Sequence, residues 1–279
     1  MKITLFWAKF FTAVKGFAKH RKVKLMVNFI ESKDNPKIKN ALKIAADTSA
    51  RRKSRTFFAA TSKVVMDILA AGFRAQAVFC MQEEFDRLQD RLASENVYII
   101  SRAVADKLSE GKTEDGVWAL FEMKDADESG IFCADKLLVL EDVQDPNNMG
   151  AIMRTALAFG YENVAVSKKC ADVYSRKVIR TSMTASVKLN VYRVEDMVEF
   201  TQQLNEKGFT TVAACLEGAQ QLGTVPVNPP LALYIGNEGN GLSDGVIESC
   251  KLRLKIPMSD RIESLNAGVS AAVLMWELR

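Results

Sequence analysis

The stretch Leu231-Ala-Leu-Tyr-Ile-Gly-Asn-Glu-Gly-Asn-Gly-Leu242 joins a continuous apolar run to a loop that contains three glycines. A short apolar run without polar alternation is typical of a strand buried on both faces of a parallel sheet. Ligands bind at the carboxyl ends of the strands in such sheets. The stretch therefore predicts an α/β fold with a ligand site in the loop, although a tight turn without a ligand would also fit.

Two other segments also place a polar loop between a predicted strand and a predicted helix. The first is Asp145-Pro-Asn-Asn-Met-Gly-Ala-Ile-Met-Arg154, where we expect Asn147 or Asn148 to cap the helix and Gly150 to allow a close backbone approach. The second is Ile256-Pro-Met-Ser-Asp-Arg-Ile-Glu-Ser-Leu-Asn266, which opens the last helix. The start of that helix offers free amides and a positive dipole end to an anionic group. Taken singly, each segment would also fit an ordinary capped helix.

Apolar runs and helical patterns alternate along most of the chain, which favours a parallel sheet covered on both faces. The predicted strands are Thr56–Ala60, Ala75–Cys80, Val97–Ile100, Val117–Phe121, Leu137–Leu140, Val164–Val166, Thr210–Ala214 and Leu231–Ile235. The predicted helices are Asn35–Arg55 (with Ile38, Leu42 and Ala45 on one face), Lys63–Ala71, Glu83–Leu92, Ala103–Glu110, Met149–Phe159, Glu195–Lys207 and Ser264–Leu278.

The charged stretch Lys124–Gly130 has little to bury and is the predicted linker between two domains. We therefore expect a basic N-terminal extension over residues 1–30, poorly ordered or helical. A first domain would follow over residues 31–124, and a second over residues 131–279.

Charge is unevenly distributed along the chain. Residues 1–55 hold 15 Lys and Arg against 3 Asp and Glu, so the remaining residues carry 23 against 31 of the totals of 38 and 34. A basic leading segment on a mildly acidic body favours a surface that faces nucleic acid, although a solvated helix face would carry the same charges. No run of 18 uncharged apolar residues occurs, so we expect no membrane span.

The scarcity of histidine and the spacing of the cysteines argue against several kinds of catalytic and metal site. His20 is the single histidine and lies in the leading segment, which argues against Ser-His-Asp or Cys-His catalysis and against a His-ligated zinc site. The 5 cysteines are far apart and form no Cys-x-x-Cys pair. This pattern favours buried thiols in a reducing cytoplasm, without a disulfide framework and without a metal site.

Taken in order, the three segments resemble the SpoU (TrmH-like) family of SPOUT methyltransferases. That family carries Asn-x-Gly-x-x-x-Arg, then Ile/Leu-Gly-Asn-Glu-x-x-Gly-Leu, then Ile-Pro-Met with a Ser-Leu-Asn helix start. The matching residues are Asn148, Gly150 and Arg154; Ile235 to Glu238 with Gly241 and Leu242; and Ile256 to Met258 with Ser264, Leu265 and Asn266. Two positions differ from the family pattern: Asp260 stands where the family often has Gly, and Ala267-Gly268 stand where it often has Val-Ser. Neither position belongs to the matching residues.

The first half resembles the L30e-like α/β substrate-binding domain of the family more loosely. The resemblance depends on Asn35-Pro-Lys-Ile-Lys39 and on the basic helix end at Arg51, Arg52, Lys53 and Arg55, which it implies to be RNA-binding. Relatives often carry Phe-x-x-Glu-Gly where this chain has Phe57-Phe-Ala-Ala-Thr61. That departure leaves the RNA target open.

The resemblance implies a C-terminal trefoil knot that holds S-adenosylmethionine, and a homodimer with the site near its interface. The implied cofactor contacts are Gly236, Asn237, Ile256, Met258 and Leu265. The implied catalytic residues are Arg154, Asn148, Glu238, Ser264 and Asn266. Arg154 would act as a base or as a clamp on a phosphate, since a guanidinium has a pKa above about 12 and is a poor base near neutrality.

The implied reaction is 2′-O-methylation of an RNA ribose. The appended first domain favours 23S-type ribosomal RNA, with tRNA as the alternative substrate. A non-catalytic RNA-binding protein with a methylase fold is less favoured, because Arg154, Glu238 and Asn266 are all present. An unrelated α/β nucleotide-binding enzyme would be expected to carry a phosphate or dinucleotide fingerprint, which the sequence lacks.

Overall fold

The structure is a computed structural model, and it describes residues 28–92, 95–109, 115–124, 126–259, 261–262 and 264–279. Residues 1–27 of the predicted N-terminal extension lie outside the described residues. Residues 28–30, which the sequence analysis placed in the same extension, form the first strand, β1 (Asn28–Ile30). They belong to a sheet because their backbone pairs in parallel with Tyr98–Ile100.

The first domain is a five-stranded sheet in the order β1-β4-β3-β5-β2. Its other strands are β2 (Thr56–Ala60), β3 (Ala75–Cys80), β4 (Val97–Ile100) and β5 (Val117–Glu122). All five residues of β2 are buried, so the sheet is covered on both faces. One face packs around Phe57 and Phe121, and the other around Phe58 and Trp118. The strands predicted for this half are confirmed.

In the described part of this half, five helices surround the sheet: α1 (Pro36–Ala46), α2 (Thr48–Ser54), α3 (Ser62–Ala70), α4 (Gln82–Leu88) and α5 (Arg102–Ser109). The single helix predicted over Asn35–Arg55 is wrong, because Asp47 is extended and separates α1 from α2. The Asp47 carboxylate accepts a hydrogen bond from the Ser49 amide (2.7 Å) and so caps α2. The helix α1 buries Ile38, Ala41 and Ile44, whereas the predicted face was Ile38, Leu42 and Ala45.

The second domain is a seven-stranded sheet in the order β10-β12-β9-β11-β6-β7-β8. Its strands are β6 (Lys136–Leu140), β7 (Asn163–Val166), β8 (Asn190–Arg193), β9 (Thr210–Ala214), β10 (Gln220–Gln221), β11 (Leu231–Ile235) and β12 (Leu252–Lys255). Every pairing in it is parallel, which confirms the predicted sheet class. The implied trefoil knot stays a prediction.

Helices cover both faces of the second sheet. They are α6 (Glu128–Phe132), α7 (Pro146–Ala158), α8 (Arg176–Thr181), α9 (Ala185–Lys188), α10 (Met197–Glu206), α11 (Asp244–Ser249) and α12 (Ala267–Glu277). The helices α7 and α12 pack on one face through Met149 and Leu274, and α10 and α11 on the other through Phe200 and Val246. Part of the predicted linker is the short helix α6, because Ile131 is buried against this second core.

The two domains share a packed boundary. Ile179 and Val187 of the second domain lie in the same hydrophobic cluster as Phe57 of the first. The rings of Phe57 and Tyr174 lie 5.1 Å apart. Because an apolar cluster crosses the boundary, the first domain is held in a fixed position against the second.

A buried ion pair reinforces this boundary. The guanidinium of Arg51 (3% exposed) lies 2.8 Å from the carboxylate of Asp172 (12% exposed). Its other nitrogens donate to the backbone oxygens of Ile44 (2.7 Å) and Ala45 (2.9 Å) and to the Thr48 hydroxyl (2.9 Å). All of its donor groups are therefore directed into the protein.

Replacing Arg51 with Met should strongly destabilise the protein, because it leaves a nearly buried carboxylate without its partner. We expect the free energy of unfolding to fall by about 3–5 kcal/mol, the usual cost of breaking a buried pair. Urea denaturation followed by circular dichroism measures this change. Arg102→Met is the matched control, since the exposed Arg102–Asp106 pair should contribute no more than about 1 kcal/mol. Equal losses in the two variants would contradict the prediction.

Candidate functional site

The helix α7 begins directly after the loop that follows β6. Asp145, and neither Asn147 nor Asn148, provides its cap: the Asp145 carboxylate accepts the Asn147 amide at 3.0 Å. Hydrogen bonds from the backbone and side chain of Asn147 lower the pKa of Asp145. The cap therefore lies two or three residues before the predicted positions, because the Asp145 carboxylate before Pro146 already accepts the first free amide of the helix. Asn148 is left free to point elsewhere.

A chain of hydrogen bonds brings the three motifs together. The Asn148 side-chain amide donates to a carboxylate oxygen of Glu238 (2.8 Å). The Asn266 side-chain amide donates to the Asn148 oxygen (2.9 Å). The Asn266 oxygen in turn accepts the backbone amides of Gly268 (2.9 Å) and Val269 (3.3 Å), which caps α12. Asn148, Glu238 and Asn266 thus form one connected polar cluster at the carboxyl edge of the sheet.

The loop after β11 is held in a tight turn. The Asn237 oxygen accepts the amides of Gly239 (2.9 Å) and Asn240 (3.1 Å), while its nitrogen donates to the backbone oxygen of Asp142 (2.8 Å). Gly236 faces the backbone of Gly241 so closely that a Cβ added to it would lie 2.2 Å from the Gly241 carbonyl carbon. Gly236 is therefore required by space, and Gly241 (φ +68°) by its left-handed backbone.

Gly150 also marks a close contact between elements. A Cβ on Gly150 would lie 1.9 Å from the Thr181 hydroxyl oxygen, so α7 and α8 can touch only because this side chain is absent. This confirms the expected close approach at Gly150.

A cavity of about 520 Å³ opens at the carboxyl ends of β9, β11 and β12. All five predicted cofactor residues line it, together with Glu238 and Ser264: Gly236, Asn237, Ile256, Met258 and Leu265. Its apolar walls include Leu242, Ile247 and Leu274. A volume of this size, with apolar walls and several polar side chains, is in the range of small-molecule sites.

The cavity also has a wall that the sequence analysis missed. Residues 214–217 comprise the last residue of β9 and the three that follow it, and they include Cys215 and Glu217, both of which line the cavity. The sequence signal was available, since Thr210–Ala214 was a predicted strand and ligands bind at strand carboxyl ends. Burial raises the pKa of the Cys215 thiol, although the nearby Arg253 lowers it in part.

Arg154 lies away from this cavity. It is exposed on α7 and is bonded to no other residue that the structure describes. Six residues separate it from Asn148, so the two side chains leave α7 about 120° apart at 100° per residue. Ala151, Leu157 and Ala158, all exposed, are its neighbours on that face. A single chain therefore brings Glu238 and Ser264 to the cavity wall and leaves Arg154 outside. The other two predicted catalytic residues, Asn148 and Asn266, lie beside them through the hydrogen bonds to Glu238.

The four basic residues predicted to bind RNA separate into two kinds. Arg52, Lys53 and Arg55 are exposed at the end of α2. Arg51 is buried, and each of its three guanidinium nitrogens donates a hydrogen bond inside the protein, so we leave it out of the RNA-binding set. Its position next to exposed cations had suggested the same role.

The described residues contain no helix that is both long and apolar enough to cross a bilayer. Within those same residues, His, Cys, Asp and Glu side chains form no group of three or more suited to hold a metal ion.

Comparison with known families decides the class of the protein. Residues 135–276 match the SpoU rRNA Methylase family. The chain belongs to this family. Residues 35–119 separately match the MRM3-like substrate binding domain, which agrees with the predicted role of the first half. Membership makes the chain an RNA methyltransferase of the SpoU type, and it confirms the resemblance on which the sequence analysis depended.

Individual relatives extend over almost the whole chain. An uncharacterized tRNA/rRNA methyltransferase of Synechocystis sp. is 29% identical over 254 residues, covering 90% of this chain and 93% of the relative. The 23S rRNA (guanosine(2553)-2′-O)-methyltransferase RlmP of Bacillus subtilis is 27% identical over 250 residues, covering 90% and 98%. The solved structure of an AdoMet-bound rRNA methyltransferase from Sinorhizobium meliloti superposes with a TM-score of 0.79 at 22% identity, covering 90% of this chain and 97% of that one. At that identity, the likeness shows a shared fold.

Proposed function

We propose that the protein transfers a methyl group from S-adenosylmethionine to a ribose 2′-hydroxyl of RNA. The observation that carries the proposal is the convergence of the three family motifs on one cavity, with the Asn148–Glu238–Asn266 cluster at its rim. The related B. subtilis enzyme is a 2′-O-methyltransferase by name, which supports the same reaction here.

The cavity fits S-adenosylmethionine in size and charge. Among the described residues, the acidic side chains that line it are Glu217, Glu238 and Asp244, and Lys255 is the one basic side chain. This balance suits a ligand that carries a sulfonium and an ammonium against one carboxylate. The tight backbone at Gly236 and Asn237, with Ile256, Met258 and Leu265, would hold the cofactor, which supplies an electrophilic methyl group when bound.

The chain's own task is to align the 2′-hydroxyl with that methyl group and to assist the loss of its proton. One carboxylate oxygen of Glu238 accepts the Asn148 side-chain amide, and the other accepts the Asn237 side-chain amide at 3.5 Å. Because the Glu238 side chain is exposed, this second oxygen can also accept a substrate hydroxyl. Asn266 fixes Asn148 and the start of α12 together. Ser264 is exposed at the cavity wall, where it would contact the substrate side.

Because Arg154 lies outside the cavity of its own chain, it can contribute to methyl transfer only at the cavity of a second copy. It shares the exposed face of α7 with Leu157 (36% exposed), beside the apolar side chains Val269, Val273 and Trp276 of α12. We call this surface the α7–α12 face. Val269, Val273 and Trp276 follow helical spacing and form one stripe, which suits an isologous contact between two copies. A homodimer would place Arg154 of one protomer at the cavity of the other.

Val273→Glu should convert the proposed dimer to monomers, since it places two unpaired carboxylates in the apolar centre of the contact. Burying such a charge costs several kcal/mol, so the dimer dissociation constant should rise by at least about 100-fold. Sedimentation velocity measures the change, and methyl transfer should fall with it. Phe29→Glu, which alters an exposed apolar residue on β1, should leave both unchanged. A dimeric, active Val273→Glu protein would refute this interface.

Ribosomal RNA of the 23S type is the favoured substrate, because the chain covers nearly all of the B. subtilis 23S rRNA enzyme at 27% identity and both halves align. tRNA is the second candidate, since the Synechocystis relative is named for both substrates. The free thiols among the described residues fit the cytoplasm as the proposed compartment.

Transfer of radiolabelled methyl groups from S-adenosylmethionine to RNA transcripts tests the proposal. Labelling of a 23S rRNA transcript, with nucleotide mapping to a 2′-O-methylated ribose, is the expected result. Labelling of tRNA alone would show that the substrate is tRNA and would leave the proposed reaction unchanged. Binding of RNA without labelling of either transcript would favour a non-catalytic RNA-binding protein.

A further inference from the structure

The side of the domain boundary that lies at the end of α2 carries more positive than negative side chains. Its cationic side chains come from the end of α2, from the loop that follows β7 and from the end of β8: Arg51, Arg52, Lys168, Lys169 and Arg193. Its acidic side chains are Asp142, Asp172 and Glu195.

Each of the three acids is paired with a different cation. Asp172 binds Arg51 (2.8 Å), Asp142 binds Lys169 (3.1 Å), and Glu195 binds Lys168. Arg52 and Arg193 remain. Among the described residues, neither guanidinium has an acidic side chain within salt-bridge distance.

Arg52 and Arg193 lie near one another although they belong to different domains. Arg52 follows Arg51, which is bonded to Asp172 in the loop after β7. Arg193 ends β8, opposite Val166 of β7, and donates to the backbone oxygen of Lys168 in the same loop (3.2 Å). Burial lowers the pKa of Arg193 most, and the nearby positive charge of Arg52 lowers it further, while the charges of Asp172 and Glu195 raise it in part.

Two neighbouring guanidiniums, neither of which is in an ion pair among the described residues, form a favourable site for a phosphate group. A guanidinium offers parallel donors that match phosphate oxygens, and an anion between the two would remove their mutual repulsion. Arg193 is partly buried and positioned by its bond to Lys168, so it loses little conformational freedom on binding.

The pair of arginines lies at the same edge of the second sheet as the cavity. The strands β11, β6, β7 and β8 are consecutive neighbours in the sheet, and their carboxyl ends share one edge. Neighbouring strands lie about 4.8 Å apart, so the end of β8 is roughly 15 Å from the loop after β11. Along that edge, Lys169 contacts Asp142, whose backbone oxygen accepts Asn237 of the cavity.

We propose that Arg52 and Arg193 form a phosphate clamp, shared by the two domains, that binds the backbone of the RNA substrate beside the active site. This inference rests on the proposed function, and it names where the RNA crosses from one domain to the other. Because each domain contributes one arginine, the clamp fixes the RNA relative to both. The Arg51–Asp172 pair is the structural support that keeps Arg52 in place.

Arg52→Gln and Arg193→Gln test the clamp with little risk to folding, since Arg52 is exposed, Arg193 is only partly buried, and Gln keeps a polar end at both positions. The probe is a fluorescent oligouridylate strand, titrated over a series of salt concentrations. Each variant should bind roughly tenfold more weakly, and the slope of log affinity against log salt should become shallower by about 0.7 for each lost phosphate contact to a single strand. The double variant should lose less than the sum of the singles, because both side chains bind one phosphate.

Arg102→Gln is the matched control, because Arg102 is an exposed arginine of the first domain that pairs with Asp106. It should bind the strand as the unchanged protein does. Calorimetric binding of S-adenosylmethionine should be the same in all variants. Wild-type affinity and salt slope in both Arg52→Gln and Arg193→Gln would overturn the clamp, even in a protein that methylates RNA. Strand binding that depends on both arginines, in a protein that methylates no RNA, would support the clamp and refute the proposed reaction.

Discussion

Arg154→Ala should lower the rate of methyl transfer by at least about 100-fold, the usual range for losing a positioned group that acts in the transition state. Its affinity for S-adenosylmethionine should stay the same. The physical reason is position: Arg154 is exposed on α7, outside the cavity, and forms no bond that the described structure would lose. Single-turnover methylation measures the rate, and calorimetry measures cofactor binding.

Arg154→Lys separates the two roles open to this residue. A lysine keeps the positive charge but loses the paired donors of the guanidinium. If Arg154 clamps a phosphate, Lys should recover part of the activity at every pH. If Arg154 acts as a base, the lysine amine, whose usual pKa of about 10.4 is lower, should restore activity that increases with pH. Loss of cofactor binding in Arg154→Ala would contradict the assignment altogether.

Gly236→Ala should abolish cofactor binding. The added Cβ would lie 2.2 Å from the Gly241 carbonyl carbon and 2.4 Å from the Leu242 amide nitrogen, and both are backbone atoms that cannot rotate away. The loop must open, and the Asn237–Gly241 bridge, in which each amide donates to the other's backbone oxygen (2.9 and 3.0 Å), must break. We expect at least about 100-fold weaker binding, since relieving such overpacking costs about 1–3 kcal/mol and the cofactor contacts go with it.

Gly239→Ala is the control for this loop. Its Cβ would meet only the Asn237 side-chain oxygen, at an ordinary contact distance of 3.5 Å. Calorimetry with S-adenosylmethionine should therefore show near-normal affinity for Gly239→Ala and none for Gly236→Ala. Equal affinity in the two variants would show that the turn is not required for the cofactor.

Mixing the two inactive proteins tests whether the sites are shared. Suppose that Arg154 of each chain serves the cavity of its partner. In a mixed dimer, the cavity of the Arg154→Ala chain then has an intact Gly236 and receives Arg154 from the Gly236→Ala chain, so this site has neither defect. The other site has both. Methylation should then return to about a quarter of the wild-type level after full exchange of subunits, since half the dimers are mixed and each holds one intact site. If each chain uses its own Arg154, no activity should return.

Much of the second domain was predictable, because buried parallel strands give continuous apolar runs. The loop after β11 was assigned correctly since Gly236, Gly239 and Gly241 follow such a run without interruption. The cofactor residues came from family motifs, and residues 214–217 were missed because no motif covers them. Spatial proximity among loops after different strands depends on strand order, which local patterns do not contain.

The first domain shows where local patterns mislead. Asp47 lies inside a sequence that fits one long helix, yet its side chain satisfies the amide of Ser49 and starts a second one. Arg51 lies among exposed cations, and only the tertiary fold shows that Asp172, distant in sequence, receives its charge. Neighbouring residues in a basic cluster can therefore have opposite environments, and charge counts alone cannot separate them.

The hydrogen bonds of Asn148 also constrain how the protein folds. Its partners Glu238 and Asn266 are 90 and 118 residues away along the chain. Contacts of such high sequence separation form slowly, because a long loop must close before they give any stabilisation. On the ribosome, the polar cluster cannot be completed until Asn266 has been synthesised. The active site is thus a late product of folding, and partly folded chains with native strands should lack catalytic competence.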